Sequence, residues 1–422
     1  MPEESPIREQ TIYYARENER GVLPVDPVLR RFSDNVTSFA WSPDVGIEPR
    51  RGLGSPDIAE FHKGPEEHEV TVEYDLQRFV VASGSETNFN QGDAFDASGD
   101  GVLRDNNNEL PSTHTIVKRE DIFGIDAEDT IDAREGGSGS ERDTRLFVVV
   151  AGGRVDTAEF TGDPGSEQPV TVELTYTAEK GREYQVDQPD SATLDLVSTD
   201  ASDTFDVTVE DDTGTAETVT LNGTTVVSTP SSFDSIRAIK VAQGENPTGD
   251  ITVSEQSSGE TLAIIRGSSS YDHDEGDEGI PTTGSGSRET SEIGTSYETI
   301  VGDAVERPSG TSLAAEINSV TFSVENNVST REQITTPRMG INAGDRDVGV
   351  DTTIVGATES VQKAAEAFEN TGNNVVWILD GGELRATNAR LTEFAGVDES
   401  QGDAVMSNDN TFTGQSVEAV AT

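Results

Sequence analysis

The sequence predicts a mainly β protein made of antiparallel sheets in a sandwich or barrel, and three observations carry that expectation. Short runs of Val, Ile, Thr and Phe alternate with clusters of Gly, Asp, Asn and Ser, the pattern of short strands and tight turns. Within the runs, apolar and polar residues alternate with period two. In EEHEVTVEYDL (66–76), Val70, Val72, Tyr74 and Leu76 share one strand face, and Glu69, Thr71, Glu73 and Asp75 share the other, wet one. Helical spacing is convincing once: in TESVQKAAEAFENTG (358–372), Val361, Ala364, Ala365 and Phe368 form a stripe, Thr358 can cap the start and Gly372 follows the end. That helix reads as packed on a sheet, with no chemistry of its own.

The elements follow in chain order. Residues 1–193 contain the strand at 66–76, a short apolar run at 146–151 with the length of a buried strand, and VTVELTYTA at 170–178. Residues 88–108 are rich in Gly, Asp and Asn and read as a long loop or surface arm. Residues 194–267 offer about six short strands, FDVTVED, ETVTLNG, TTVVST, SIRAIKVAQ, DITVSEQ and TLAIIRG, with turns at DDTG, NG and SSG. That is enough for a small Ig-like sandwich with a modest core of its own, so this stretch is expected to be an inserted domain. Residues 268–296 are Gly, Ser and acid with few apolar residues and read as a second loop. SVTFSVENN and NVVWILDGG then resume strand patterning, so 1–193 and 268–422 are expected to be the two parts of one larger β domain.

Charge sets the conditions under which such a chain can fold. There are 80 Asp and Glu against 29 Lys and Arg, a net −51, and only Lys63, Lys118, Lys180, Lys240 and Lys363 are lysines. Self-repulsion at that density destabilises a compact state in dilute buffer, whereas at 1 M salt the Debye length is only about 3 Å. An acid-rich, Lys-poor composition therefore points to folding in multimolar salt, as in halophilic microbes and their viruses. Disorder is the competing reading of such a composition, and the recurring apolar alternation argues against it.

Several functions fall away. No apolar run approaches the roughly 18 to 20 residues of a membrane helix. MPEESPIREQ is acidic and lacks an apolar core, so no signal peptide is expected there. Without cysteine there is neither a disulfide scaffold nor a thiolate metal site. An acidic surface repels phosphate, which disfavours tight general binding to nucleic acid.

The search for catalytic, cofactor-binding or metal-ligating residues assigns none. Asp212, Thr213 and Gly214 spell the aspartic-protease tripeptide, but that chemistry needs a second aspartate sharing a proton, and their place between two strands predicts a hairpin turn. FDASGDGVLRDN places Asp96, Ser98, Asp100 and Gly101 at calcium-loop spacing, yet the twelfth position is Asn107 rather than a bidentate Glu. DHDEGDEG (272–279) gathers carboxylates around His273 and reads as a solvated acidic loop. His62, His68 and His114 lack metal-ligand spacing, and no P-loop, dinucleotide or G-x-S-x-G signature occurs. Sequons begin at Asn35, Asn222 and Asn327 and carry little weight without a secretion signal. No enzyme is expected.

A resemblance extends the reading. GGRVDTAEFTGDPGSEQPVTVELTYTAEK (152–180) resembles the paired strands of tail tube proteins from long-tailed, siphovirus-type viruses: a strand opened by Gly, a turn, then an alternating strand. The stretch 308–353, in EINSVTFSVENNVSTREQITTPRMGINAGDRDVGVDTT and the residues before it, resembles the second half of that fold, including a strand ending in paired asparagines, Asn326 and Asn327. The helix and the final strands TNARLTEF and NTFTGQSVEAV follow in the same order, and 194–267 resembles the Ig-like decoration modules of virus particles. The resemblance covers about a third of the chain. It implies a virion protein of a virus of halophilic archaea, forming homohexameric rings stacked into a tail tube. Its partners would be other copies of itself, a tape measure and a tail terminator, with double-stranded DNA passing through the lumen without specific binding and no membrane. A major capsid or other virion protein, and a haloarchaeal surface or adhesion protein carrying an Ig-like module, are the competing readings.

Overall fold

A computed structural model describes residues 8–17, 20–21, 30–33, 35–44, 47–51, 58–63, 67–76, 113–163, 168–242, 245–269, 279–280, 302–306, 317–332, 339–342, 345–355, 373–379, 382–394 and 407–421. The first strands are β1 (Arg8–Arg16), β2 (Arg30–Arg31), β3 (Val36–Asp44), β4 (Ile47–Arg51), β5 (Ile58–Lys63), β6 (Glu67–Asp75) and β7 (His114–Ile125). After a 3-10 turn at Ala127–Asp129 and one helical turn at Ile131–Arg134 come β8 (Arg142–Gly162), β9 (Thr171–Ala178), β10 (Lys180–Asp187), β11 (Ala192–Ser198), β12 (Asp206–Glu210) and β13 (Ala216–Thr220). Next are β14 (Val227–Phe233), β15 (Ala238–Val241), β16 (Ile251–Glu255), β17 (Thr261–Ile265), β18 (Gly279–Ile280), β19 (Gly302–Glu306) and β20 (Ile317–Glu325). The last are β21 (Ser329–Glu332), β22 (Met339–Asn342), β23 (Asp347–Val355), β24 (Asn373–Leu379), β25 (Gly382–Phe394), β26 (Ser407–Gly414) and β27 (Ser416–Ala421). The protein is mainly β, and its registered strand pairs are antiparallel. The helix expected at 358–372 and the loop at 88–108 lie outside the described residues, as does most of the loop expected at 268–296, within which Gly279 and Ile280 form β18 and pair with β15 rather than stay a loop.

The strands fall into two compact units, one drawn from 1–31, 115–151 and 181–293, the other from 32–114, 152–180 and 294–422. In the first unit, β14, β11, β16 and β17 form one four-stranded sheet and β13, β12, β15 and β18 another. All six strands expected within 194–267 are present. Period-two alternation turns Leu194, Leu196, Val207, Val209, Ile239, Ile251 and Val253 into one buried cluster. The same cluster also takes in Tyr13, Ala15, Val117, Phe147, Tyr184 and Val186, from β1, β7, β8 and β10. The compact-unit boundaries therefore differ from those drawn on the sequence at 193/194 and 267/268. A sandwich of about 75 residues buries too small a fraction of its surface to saturate its apolar faces, so neighbouring strands join its core.

In the second unit, one sheet runs β3–β6–β9–β8–β20–β23–β26–β25. The two stretches that carry the tail-tube resemblance adjoin within it: Arg154 to Thr161 pair with Thr177 to Thr171, and Gly162 to Thr157 pair with Val320 to Glu325. β25 also pairs with β24 and β27. From β24, Trp377 reaches the apolar face of the larger sheet, stacking on Phe322 at 6.0 Å between centroids and 18° between planes. A Cβ on Gly162 would lie 3.0 Å from the Trp377 ring, so the glycine is what admits the indole. The paired asparagines end β20 for a visible reason. Asn326 is buried and donates from its backbone to Asp156 O (2.7 Å) and from Nδ2 to Val155 O (2.9 Å), while Asn327 turns the chain at φ +47°.

Candidate functional surface

The strand that opened the sequence argument positions the most distinctive surface of the protein. In β6, Val70, Val72 and Tyr74 are buried, as is Leu76 just past its end, while Glu69 is exposed and Thr71 and Glu73 are half-buried, as alternation requires. One residue departs from the expected wet row. Asp75 shares the parity of Glu73 yet is buried: it accepts from Asn35 Nδ2, and its main chain bonds Asn35 O and Ser33 Oγ. His68 lies on the apolar side, where it accepts the Trp41 indole N–H at Nδ1 (3.3 Å) and stacks on that ring at 5.9 Å.

Strand pairing extends the polar face across the sheet. Ser38, Glu73, Glu173, Glu159, Ser323 and Gly349 lie directly opposite one another on six successive strands. The adjacent row reads Ala40, Thr71, Thr175, Thr157, Glu325 and Asp347. On the other side run Thr171, Thr161, Thr321, Asp351 and Thr411. Hydroxyls bridge strands in these rows, Thr71 to Thr175 at 3.4 Å, Thr161 to Thr321 at 3.3 Å and Thr392 to Thr413 at 3.1 Å. Three contacts set like charges face to face: Glu73 with Glu173, Glu173 with Glu159, and Glu325 with Asp347. Such pairs oppose folding unless ions screen them. Among the registered positions of this face the cations are Arg154, opposite Thr177, and Arg390, opposite Thr413.

Beneath the face the core is aromatic. Phe32 packs on Tyr74 (5.8 Å) and Tyr176 (6.3 Å), and His114 meets Tyr176 edge-on at 6.5 Å. Burial pushes both phenols up, and Tyr176 adds to the rise at Tyr74, so neither ionises in the physiological range.

The motifs singled out for chemistry resolve as structure. Asp212, Thr213 and Gly214 form the β12–β13 hairpin turn. Asp211 accepts at Oδ1 from the main-chain N–H groups of Thr213 and Thr215, both at 2.8 Å, and Gly214 takes φ +84°. Burial pushes the Asp212 carboxyl up, but the hydrogen bond and charge of Arg145 (2.6 Å) outweigh it and hold the group below its ordinary value. Of the sequon asparagines, Asn35 donates to Asp75 and Asn327 to Asp345 O and Asp347, whereas Asn222 is exposed. Among the described residues no group of three or more His, Asp and Glu side chains is arranged to hold a metal ion. The calcium-spaced loop and most of the acidic stretch at 272–279 lie outside the described residues. No helix among them is long and apolar enough to cross a membrane.

No protein-family model matches the chain, and no curated protein sequence matches it.

Proposed function

We propose that the chain is a structural virion protein, the tail tube subunit of a long-tailed virus of halophilic archaea, and that the acid and hydroxyl face of its larger sheet lines a lumen for double-stranded DNA. The observation that carries this reading is the composition of that face: carboxylates on neighbouring strands, hydroxyls between them, and arginine at 154 and 390 as the cations in register. DNA moving through a tube must not stick, and each phosphate neutralised by Lys or Arg would add affinity by counterion release. In brine the repulsion itself is short-ranged, so the scarcity of cations matters more than the number of acids. The two four-stranded sheets of the first unit are assigned to an Ig-like decoration module, and the remaining partners are other copies, a tape measure and a tail terminator.

Electron microscopy of the purified protein in multimolar KCl tests the assignment. Rings stacking into tubes are expected, with an acidic channel wall. Closed shells would transfer the protein to the capsid, particles without a channel would end the tube reading, and a wall dominated by arginine would refute the non-adhesion mechanism.

A further inference from the structure

Strand β3 forms an end of the acid-faced sheet, and among the described residues it pairs with β6 alone. From Val36 to Pro43 it carries no charged side chain, in a chain of net −51. Edge strands are ordinarily guarded by charge, proline or a bulge, because their unpaired peptide groups template association. Among the described residues β14, a seven-residue uncharged edge, is guarded in this way: Pro230 removes a donor from its middle, and its register with β11 is broken between Thr193 and Asp195. β3 carries the same two devices only at its ends, a register break with β6 between Val36 and Ser38 and a proline at Pro43, so the stretch between them is unguarded, and Thr37, Ser38, Ala40 and Ser42 are exposed.

The direction of the peptide groups follows from the ladder. Asp75 N–H donates to Asn35 O at 3.0 Å and Leu76 N–H to Val170 O at 2.8 Å, so odd residues of β6 face β3 and even ones face β9. Ser38, Ala40 and Ser42, opposite Glu73, Thr71 and Glu69, therefore exchange bonds with β6, which turns the peptide groups of Trp41 to the open side. The Trp41 ring is already fixed by its stack and hydrogen bond to His68, so this stretch of edge loses little freedom on pairing.

We infer that the open side of β3 is a docking edge for a strand of a second copy of this chain, which adds to the sheet by main-chain hydrogen bonds. A cation-steered partner would call for carboxylates at the contact. A partner that is itself strongly acidic can approach only where like charge is absent, and the chain's own copies have that property. The inference rests on the assembly reading above for the identity of the partner, and it adds the place of contact.

The test compares two substitutions at one residue in multimolar KCl. Trp41→Pro removes the open-side donor and leaves the bonds to β6, while Trp41→Val removes the indole and keeps the donor. Light scattering across a dilution series is expected to move the association midpoint about tenfold or more for Trp41→Pro, the worth of a lost hydrogen bond with added steric conflict, and little for Trp41→Val. Equal loss in both would assign the contact to the indole and overturn the edge, as would undiminished assembly of Trp41→Pro. Should Trp41→Pro fail to fold, hydrogen exchange of the wild type decides: the open-side amide of Trp41 is expected to be protected in the assembled protein and to exchange on dilution, while those of Ser38, Ala40 and Ser42, bonded to β6, stay protected in both. Protection of the Trp41 amide that persists in the monomer would mean that the chain covers its own edge, and the inference falls. Rings formed by Trp41→Pro leave the tube reading standing without this edge, whereas a discrete dimer lost in Trp41→Pro keeps the edge and ends the tube reading.

Discussion

Glu173 stands between Glu73 and Glu159 on adjacent strands, so Glu173→Gln removes two of the three like-charge contacts on the acid face while keeping the shape of the side chain. Carboxylates about 5 Å apart repel by about 0.8 kcal/mol in a water-like dielectric, which gives about 1.6 kcal/mol for the two contacts before screening. A Debye length of about 10 Å at 0.1 M salt leaves roughly 1 kcal/mol, and about 3 Å at 1 M leaves about 0.3 kcal/mol. The variant is therefore expected to be more stable than wild type at the lowest salt where unfolding is still cooperative, and nearly equal to it above 1 M. Urea unfolding followed by circular dichroism at both salts measures this, urea being uncharged. Glu69→Gln is the control, because Glu69 faces Ser42 and Thr177 and its loss changes net charge equally. Equal gains from both variants would show that net charge, not register, sets the salt requirement. A gain that does not shrink with salt would refute the electrostatic account altogether.

Three further outcomes are expected. Asp212 is held below its ordinary value when folded, so its contribution is present above the unfolded aspartate pKa of about 3.9 and is lost as pH falls through the lower folded value. Asp212→Asn should accordingly be less stable than wild type at neutral pH, with the gap in melting temperature closing below about pH 4, and a gap independent of pH would exclude the Arg145 pair as its source. Gly162→Val should cost about 1 to 3 kcal/mol by overpacking against Trp377, and pairing it with Trp377→Leu should recover part of that in thermal melts; a doubly substituted protein no better than the single would place the strain elsewhere. Deleting 194–267 removes the partners of Tyr13, Val117, Phe147, Tyr184 and Val186 in their shared cluster, so the rest of the first unit should lose protection in hydrogen exchange, and retention of native exchange there would show that its core is independent.

The sequence by itself determined the secondary-structure class and much of the local detail. Period two put Val70, Val72 and Tyr74 inward because a strand's side chains alternate whatever lies beside it, and the turn at Asp211 to Gly214 was legible because its hydrogen bonds close within five residues. The charge imbalance is likewise a property of composition, so the expectation of a salt requirement needs no knowledge of any contact. What the sequence left undetermined is which strand lies beside which, and by what register. The Glu73–Glu173–Glu159 row joins residues up to 100 positions apart, and slipping one strand by one residue would replace a glutamate with an apolar or aromatic residue. Asp75 was misread for the same reason, since its burial comes with Asn35, which reaches it only through the pairing of β3 with β6. The shared core of the first unit was hidden too: burial depends on apolar surface brought together from β1, β7, β8 and β10, and no window along the chain contains that sum.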